Sequence, residues 1–186
     1  MRYNRPIVTV FGSSVSTEGD DEYEAARWLG AELGQRGWGV ATGGYGGTME
    51  AVSAGAAAAG AVVIGVTVPD LFTDRTGPNR FVAEEIVSPS LGDRIQRLLD
   101  LGDHWVALPG SIGTAAELVI AWNHAYISTR TSQRTRLPIA VGTAWRSLAD
   151  LLSAQAGAEP RLIRCVASVG EIPELIGPVS RWPATQ

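Results

Sequence analysis

The sequence predicts an α/β fold in which a parallel sheet of about six or seven strands carries helices on both faces. Short apolar runs rich in β-branched residues alternate along the chain with longer helical stretches. Three of these runs end in Gly/Ser-rich breaks, at residues 12–14, 43–47 and 109–113. Right-handed crossovers between such strands place helices on both faces. We therefore expect residues 1–186 to form a single Rossmann-like, doubly wound domain, with the three breaks at the carboxyl edge of its sheet.

The first half of the chain is predicted to hold three strands and two helices. The first helix, residues 20–36, has apolar side chains on one stripe and an acidic start that suits the positive end of a helix dipole. The second helix, residues 48–59, is rich in small side chains. The strands are predicted at residues 7–11, 39–42 and 61–67.

The second half continues this alternation. A short strand is expected within residues 81–87. The further strands are predicted at residues 105–108, 137–141 and 162–166, and the further helices at residues 92–101, 114–126, 147–155 and 172–176.

The composition excludes several functions. All 15 basic residues are arginine, so a Schiff-base lysine and a P-loop lysine are both impossible. Two histidines and one cysteine argue against a zinc site, and no metal or cofactor is expected. A net charge of −4 argues against broad binding of nucleic acid or of an anionic membrane.

No targeting or membrane segment is predicted. Residues 51–69 carry no charge, but they read as a helix of small residues followed by a buried strand rather than as a membrane span. No secretory signal is visible in residues 1–11. Cys165 is the only cysteine, so no intramolecular disulfide can form, and we expect a cytoplasmic protein.

Two glycine-rich loops suggest a phosphate site. Residues 43–48 and 109–114 both lead into a predicted helix, where free backbone N–H groups and the helix dipole favour an anion. In the alternative interpretation, the glycines only permit tight turns. The dinucleotide fingerprint is absent, because Met49 stands where its third glycine would be.

Two charged residues have both a structural and a functional interpretation. Thr114 and Glu117 have the T-x-x-E spacing of a capping box, and spacing alone favours that structural role. The alternative is a carboxylate placed beside a bound sugar. Arg94 is most simply part of a solvated helix face. Residues 127–136 are polar and basic, which favours a solvated loop over a flap that grips phosphate.

Together these segments resemble the family named for the plant "lonely guy" proteins, over residues 6 to about 150. The run from Gly43 to Met49 is similar to the family's GGG-x-x-G-x-M loop. The run from Pro109 to Glu117 is similar to its P-G-G-x-G-T-x-x-E motif, and Arg94 stands at the spacing of the family's arginine. The resemblance implies a Rossmann-like fold and a homodimer or higher homo-oligomer.

The implied activity is hydrolysis of the N-glycosidic bond of a nucleoside 5′-monophosphate, which releases an adenine-type base and ribose 5-phosphate. In this interpretation Glu117 lies beside the ribose, and Arg94 holds the substrate or assists departure of the base. Amides of Gly113 and Thr114 hold the phosphate. The residues expected to bind the phosphorylated ligand are Gly12, Ser13, Gly43, Gly44, Gly46, Gly47, Thr48, Met49, Gly110, Ser111, Ile112, Gly113, Thr114 and Asn123.

The sequence departs from the family pattern at two positions. Ile95 replaces the lysine of the family's R-K pair, and Ser111 replaces the second glycine of P-G-G. Residues 46–56 resemble a divergent branch that includes a molybdenum cofactor carrier protein. The alternative function is therefore a non-catalytic carrier of a nucleotide or a molybdopterin-type cofactor.

Overall fold

Seven parallel strands form one sheet in the order β4-β3-β2-β1-β5-β6-β7. The computed structural model describes residues 5–71, 77–131 and 134–179. The strands are β1 (Ile7–Phe11), β2 (Gly39–Thr42), β3 (Val63–Thr67), β4 (Glu84–Val87), β5 (His104–Ala107), β6 (Ile139–Val141) and β7 (Arg164–Val166). The helices are α1 (Asp21–Gln35), α2 (Thr48–Ala58), α3 (Leu91–Leu101), α4 (Ile112–Ser128), α5 (Thr143–Ala156) and α6 (Ile172–Ile176).

Helices cover both faces of this sheet, which confirms the predicted fold class. One apolar cluster joins the sheet to α1, α2 and α6, and the other joins it to α3, α4 and α5. Strand β1 is buried throughout and contributes to both: Val8 and Val10 face the first cluster, whereas Ile7 and Phe11 face the second. This alternation explains why the strands are continuously apolar.

The strand order brings the three glycine-rich breaks together. Strand β1 lies between β2 and β5, and the breaks follow these three adjacent strands. The chain reverses its direction of winding between β1 and β5, which makes this edge the switch point of the sheet. The expectation that the breaks share the carboxyl edge is therefore confirmed.

Three predicted helices begin earlier than expected, α3 by one residue, α4 by two and α5 by four. Helix α5 begins at Thr143 rather than at residue 147, because Gly142 has a φ of 102° and turns the chain directly out of β6. The indole N–H of Trp145 then donates to the carbonyl of Leu108 over 2.9 Å and fixes the first turn. Helix α4 begins at Ile112, two residues before the predicted start. The other predicted bounds lie within two residues of the observed ones.

None of the helices among the described residues is both long enough and apolar enough to cross a membrane. The uncharged stretch at residues 51–69 instead contributes to α2 and to the buried strand β3.

Close packing of α1 against α2 depends on two glycines. A Cβ atom on Gly30 would overlap with the carbonyl oxygen of Val52, and one on Gly55 would overlap with the carbonyl oxygen of Arg27. Both obstacles are backbone atoms, which cannot rotate away. The two helices therefore touch along their backbones.

We predict that Gly55→Ala lowers the free energy of unfolding by about 1–3 kcal/mol, because the added methyl group must push the helices apart. Urea denaturation followed by circular dichroism measures this. Gly92→Ala in α3 is the matched control, because the nearest atom to its Cβ would be Ser90 Oγ at 3.9 Å. The control should gain up to about 1 kcal/mol from helix propensity. Equal effects of the two substitutions would contradict the packing argument.

Candidate functional site

The loops after β1 and β2 are locked together at the carboxyl edge of the sheet. Thr48 Oγ1 accepts a hydrogen bond from the backbone N–H of Ser13 over 2.9 Å, and the N–H of Thr48 donates to the carbonyl of Ser13 over 2.9 Å. A Cβ atom on Gly12 would overlap with Thr48 Oγ1, and one on Gly47 would overlap with the carbonyl oxygen of Ser13. Gly12, Gly47 and Thr48 therefore serve the contact between the loops.

Gly43 makes room for the side chain of Arg94. A Cβ atom on Gly43 would overlap with Arg94 Nη2 and would lie 2.7 Å from Met49 Sδ. Arg94 reaches this position from α3 and donates through Nε to the carbonyl of Val66 at 2.8 Å. The guanidinium carbon lies 5.8 Å from the centre of the Tyr45 ring. The glycine-rich loop thus forms part of the pocket that holds Arg94.

The interpretation of Arg94 as a solvated residue is wrong. Its exposed fraction is 7%, and its Nη1 lies 3.2 Å from Oε1 of Glu117, which is 6% exposed. A charge buried in this way requires a partner, and each residue supplies one for the other. The sheet and the helices α3 and α4 therefore bring together the two residues that the sequence singled out for chemistry.

Glu117 titrates near neutral pH. Burial raises the pKa of Glu117 to about 7, and the charge of Arg94 opposes that rise. A carboxyl group with such a pKa is present in both protonation states at physiological pH, as general acids and bases often are. Its described ion pair uses only Oε1.

The capping-box interpretation of Thr114 and Glu117 is also wrong. Ser111, not Thr114, is the N-cap of α4, and no side chain caps that end of the helix. Glu117 therefore lies inside the helix and turns towards Arg94. The T-x-x-E spacing suggested a capping box because Ile112 and Gly113 are not typical residues for the start of a helix. The helix was therefore predicted to begin at Thr114.

The start of α4 offers backbone N–H groups to a ligand. The first intrahelical bond runs from the N–H of Ala115 to the carbonyl of Ser111, so the amides of Ile112, Gly113 and Thr114 precede the helical ladder. The Oγ1 atom of Thr114 is buried and has no hydrogen-bond partner among the described atoms. Glu117 follows one turn later, about 4.5 Å along the helix axis.

The glycines of this second loop differ in their roles. A Cβ atom on Gly110 would overlap with Thr114 Oγ1, so Gly110 is needed for packing. A Cβ atom on Gly113 would have Ser111 Oγ, 3.8 Å away, as its nearest neighbour, and one on Gly46 would have a neighbour no closer than 3.8 Å. Gly113 and Gly46 thus border open space, as residues beside a ligand would.

Two residues predicted to bind the ligand, Asn123 and Gly44, and the departure at Ile95 have the following surroundings. Asn123 is exposed and lies about 120° around α4 from Glu117, on a groove of about 350 Å³ between α4 and the end of α5. Ile95 is buried in the apolar cluster, so its position contributes packing. Gly44 has a φ of 77° and packs against Gly65, so the turn itself requires a glycine there.

Sequence reasoning assigned no separate role to Tyr45, although it contacts Arg94. Its hydroxyl accepts a hydrogen bond from the N–H of Val68 over 3.0 Å, which ties the glycine-rich loop to the end of β3. The available signal was a bulky aromatic residue between Gly44 and Gly46. Among the described residues, no group of three or more His, Cys, Asp or Glu side chains is arranged to hold a metal ion.

Curated relatives share part of this chain. A cytokinin riboside 5′-monophosphate phosphoribohydrolase of Mycobacterium tuberculosis is 35% identical over 107 residues, which is 57% of this chain and 57% of that protein. A pyrimidine/purine nucleotide 5′-monophosphate nucleosidase of Escherichia coli is 34% identical over 107 residues, which is 54% of this chain and 23% of that protein. The matched segment thus spans less than two thirds of either relative.

Solved structures share the fold over most of the chain. The molybdenum cofactor binding protein of Rippkaea orientalis has a TM-score of 0.72 at 24% identity, covering 92% of this chain and 95% of that one. The molybdenum cofactor carrier protein of Chlamydomonas reinhardtii has a TM-score of 0.70 at 25% identity, covering 92% and 96%. Both support the observed Rossmann-like architecture.

A family model described as the SLOG cluster4 family matches residues 5–136. This range is more than half of the chain, and it contains both glycine-rich loops together with Arg94 and Glu117. The match confirms the resemblance drawn from these motifs, and the chain belongs to the SLOG cluster4 family.

Proposed function

We propose that this protein hydrolyses the N-glycosidic bond of a nucleoside 5′-monophosphate. The observation that carries the proposal is the buried pair of Arg94 and Glu117, placed one turn after the open N–H groups of α4. The names of the curated relatives agree with it, since both describe enzymes that act on nucleoside 5′-monophosphates.

The 5′-phosphate binds at the start of α4. The N–H groups of Gly113 and Thr114 donate to its oxygens, and the positive end of the helix dipole stabilises its charge. The unpartnered hydroxyl of Thr114 supplies a further donor. Gly113 and Gly46 leave space for the ligand to approach the backbone. In this proposal the ribose lies beside Glu117.

Cleavage breaks the bond between C1′ of the ribose and a ring nitrogen of the base. The carboxylate of Glu117 stabilises the positive charge that develops on the sugar and accepts a proton from the attacking water. The water oxygen bonds to C1′ as the bond from C1′ to the base nitrogen breaks, and the proton that Glu117 accepted passes on to the departing base. The products are the free base and ribose 5-phosphate. Arg94 positions Glu117 and keeps part of its population ionised.

A second candidate function is a carrier of a phosphorylated cofactor. Two features favour it: the solved molybdenum cofactor proteins match this fold over 92% of the chain, and apolar Ile95 stands in the core where the family pattern has lysine. Such a carrier would bind the phosphate of its cofactor at the same N–H groups at the start of α4. Tight binding of a phosphorylated ligand without release of base would support this function over hydrolysis.

We predict that Glu117→Gln lowers the rate of adenine release from AMP by about 100-fold or more, because the amide can neither ionise nor accept the proton. Chromatography of the free base measures the rate. Glu24→Gln is the matched control: Glu24 is half exposed and pairs weakly with Arg27 over 3.9 Å. Equal rates for Glu117→Gln and the wild type would refute the assignment of Glu117.

The rate should depend on the ionisation of Glu117. Since the carboxylate is the active form and its pKa is about 7, kcat/KM for AMP should rise with pH through about 7 and then level off. Because the pKa of Glu117 is higher in the folded than in the unfolded protein, protonation of this carboxyl group also raises the free energy of unfolding. This contribution is complete below about pH 4.5 and is lost as the pH rises through about 7. A pH profile of base release that is flat between pH 5 and 9 (roughly two units either side of the pKa) would contradict this role.

Gly43→Ala tests whether the loop positions Arg94. The new methyl group would displace the guanidinium from Glu117, so we expect kcat/KM to fall about 10- to 100-fold while the fold persists. Gly170→Ala is the control, since a Cβ there would lie 3.6 Å from Ser168 Oγ, an ordinary contact. Full activity of Gly43→Ala would show that the position of Arg94 does not matter.

A further inference from the structure

A second, polar cavity lies at the amino edge of the sheet, opposite the candidate active site. Its volume is about 170 Å³. His104, Ile139 and Arg164, the first residues of β5, β6 and β7, border it from the sheet. Arg134 and Arg136 border it from the segment between α4 and β6. Residues 132 and 133 of the basic stretch predicted at 127–136 lie outside the described residues.

This cavity carries an excess of positive charge. The guanidiniums of Arg134, Arg136 and Arg164 border it, and none of them forms an ion pair with a described residue. Asp103 is the one acidic residue in its lining, and its Oδ2 already accepts the N–H of Ile7 over 3.0 Å. Three guanidiniums and one carboxylate leave an excess of two positive charges.

Arg136, which borders this cavity, has a buried donor without a partner. Its Nε atom is buried and has no hydrogen-bond partner among the described atoms. Its guanidinium carbon lies 5.6 Å from the centre of the Trp105 ring, whose own N–H donates to the carbonyl of Leu99 over 3.1 Å. The indole thus holds the guanidinium in place. A buried donor without an acceptor is costly, and a bound anion would remove that cost.

We infer that this cavity, bordered by Arg134, Arg136 and Arg164, binds a phosphoryl dianion. The two negative charges of a dianion balance the excess of two positive charges. The paired N–H donors of a planar guanidinium match the geometry of two oxygens of a phosphoryl group. The volume is below the range of about 300–1,000 Å³ typical of whole-ligand pockets, so the cavity takes a phosphoryl group rather than a complete nucleotide.

This site is separate from the proposed catalytic one. The proposed phosphate-binding N–H groups lie at the N-terminus of α4, whereas Arg134 and Arg136 follow the C-terminus of the same helix. Helix α4 has 17 residues and is therefore about 25 Å long. One protein can thus hold two phosphoryl groups at opposite edges of its sheet, and the inference goes beyond the proposed hydrolysis.

His104 provides a specific reporter for this site. Burial lowers its pKa, the charge of Arg134 lowers it further, and Asp103 partly opposes the change. A bound dianion should raise the pKa of His104 by about one unit, because it stabilises the imidazolium. The chain has only two histidines, so the signal of His104 can be assigned by comparison with that of His124, which lies on α4 with its ring 5.3 Å from that of Trp105.

The experiment is an NMR titration of both imidazoles in the full chain at constant ionic strength. Sulfate, which stays a dianion over the whole pH range, is the first probe. Inorganic phosphate at pH 7.5 is the second, and acetate is the monoanion control. We expect a saturable rise in the pKa of His104 with sulfate, a saturable shift of its signal with phosphate, and little effect of acetate. An equal response to acetate or to sodium chloride would overturn the inference.

Variants test the named arginines. Arg136→Gln and Arg164→Gln should each weaken sulfate binding about tenfold or more, since each removes a charge-assisted hydrogen bond. Arg164 is exposed at the start of β7, so its substitution tests the site even if Arg136→Gln fails to fold. Arg27→Gln, which removes a half-exposed guanidinium on α1, should bind as the wild type does. Unchanged binding by the folded site variants would refute the inference.

Discussion

A buried ion pair between Arg94 and Glu117 is the interaction on which the candidate active site depends. Either charge alone would be costly in this environment, because little water reaches it. Together with the bond from Arg94 to the carbonyl of Val66, the pair joins α3, α4 and β3. The same pair leaves a carboxyl group whose pKa is about 7 beside the open start of α4. The packing of these elements and the proposed chemistry therefore depend on one contact.

The glycines around this pair have different physical reasons to be there. Gly43 leaves room for Arg94, whereas Gly12 and Gly47 allow the loops after β1 and β2 to touch. Gly113 alone of the second loop borders open space, beside N–H groups that precede the ladder of α4. A count of glycines therefore does not identify a phosphate site. What favours one is an open glycine at a helix start with a buried hydroxyl, that of Thr114, lacking a partner.

The comparisons agree on the fold and differ in the functions they name. Relatives named as enzymes match about half of the chain at 34–35% identity, and structures named as cofactor proteins match 92% of it at 24–25%. This is the expected outcome for a scaffold whose strand order fixes where loops meet but not what they do. In the proposed function, the deciding chemistry lies in the side chains at the edge of the sheet, above all in Glu117.

The sequence by itself determined the fold class, the order of the elements and most of their bounds. Hydrophobic periodicity and glycine breaks are local signals, and the rules for parallel sheets then place the three loops at one edge. The prediction from local sequence signals was wrong at the start of α5. There the positive φ of Gly142 and the hydrogen bond of the Trp145 indole lengthen the helix.

Only the tertiary structure decided which groups Arg94 and Glu117 contact. Each has a plausible local explanation, a solvated helix face for the first and a capping box for the second. Their actual partners are each other, 23 residues apart in sequence. Arg94 also contacts Tyr45, in the loop after β2, and the carbonyl of Val66 in β3. Such contacts follow from how α3 and α4 pack on the sheet, and spacing along one helix cannot reveal them because the burial that forces the pairing is created only on folding.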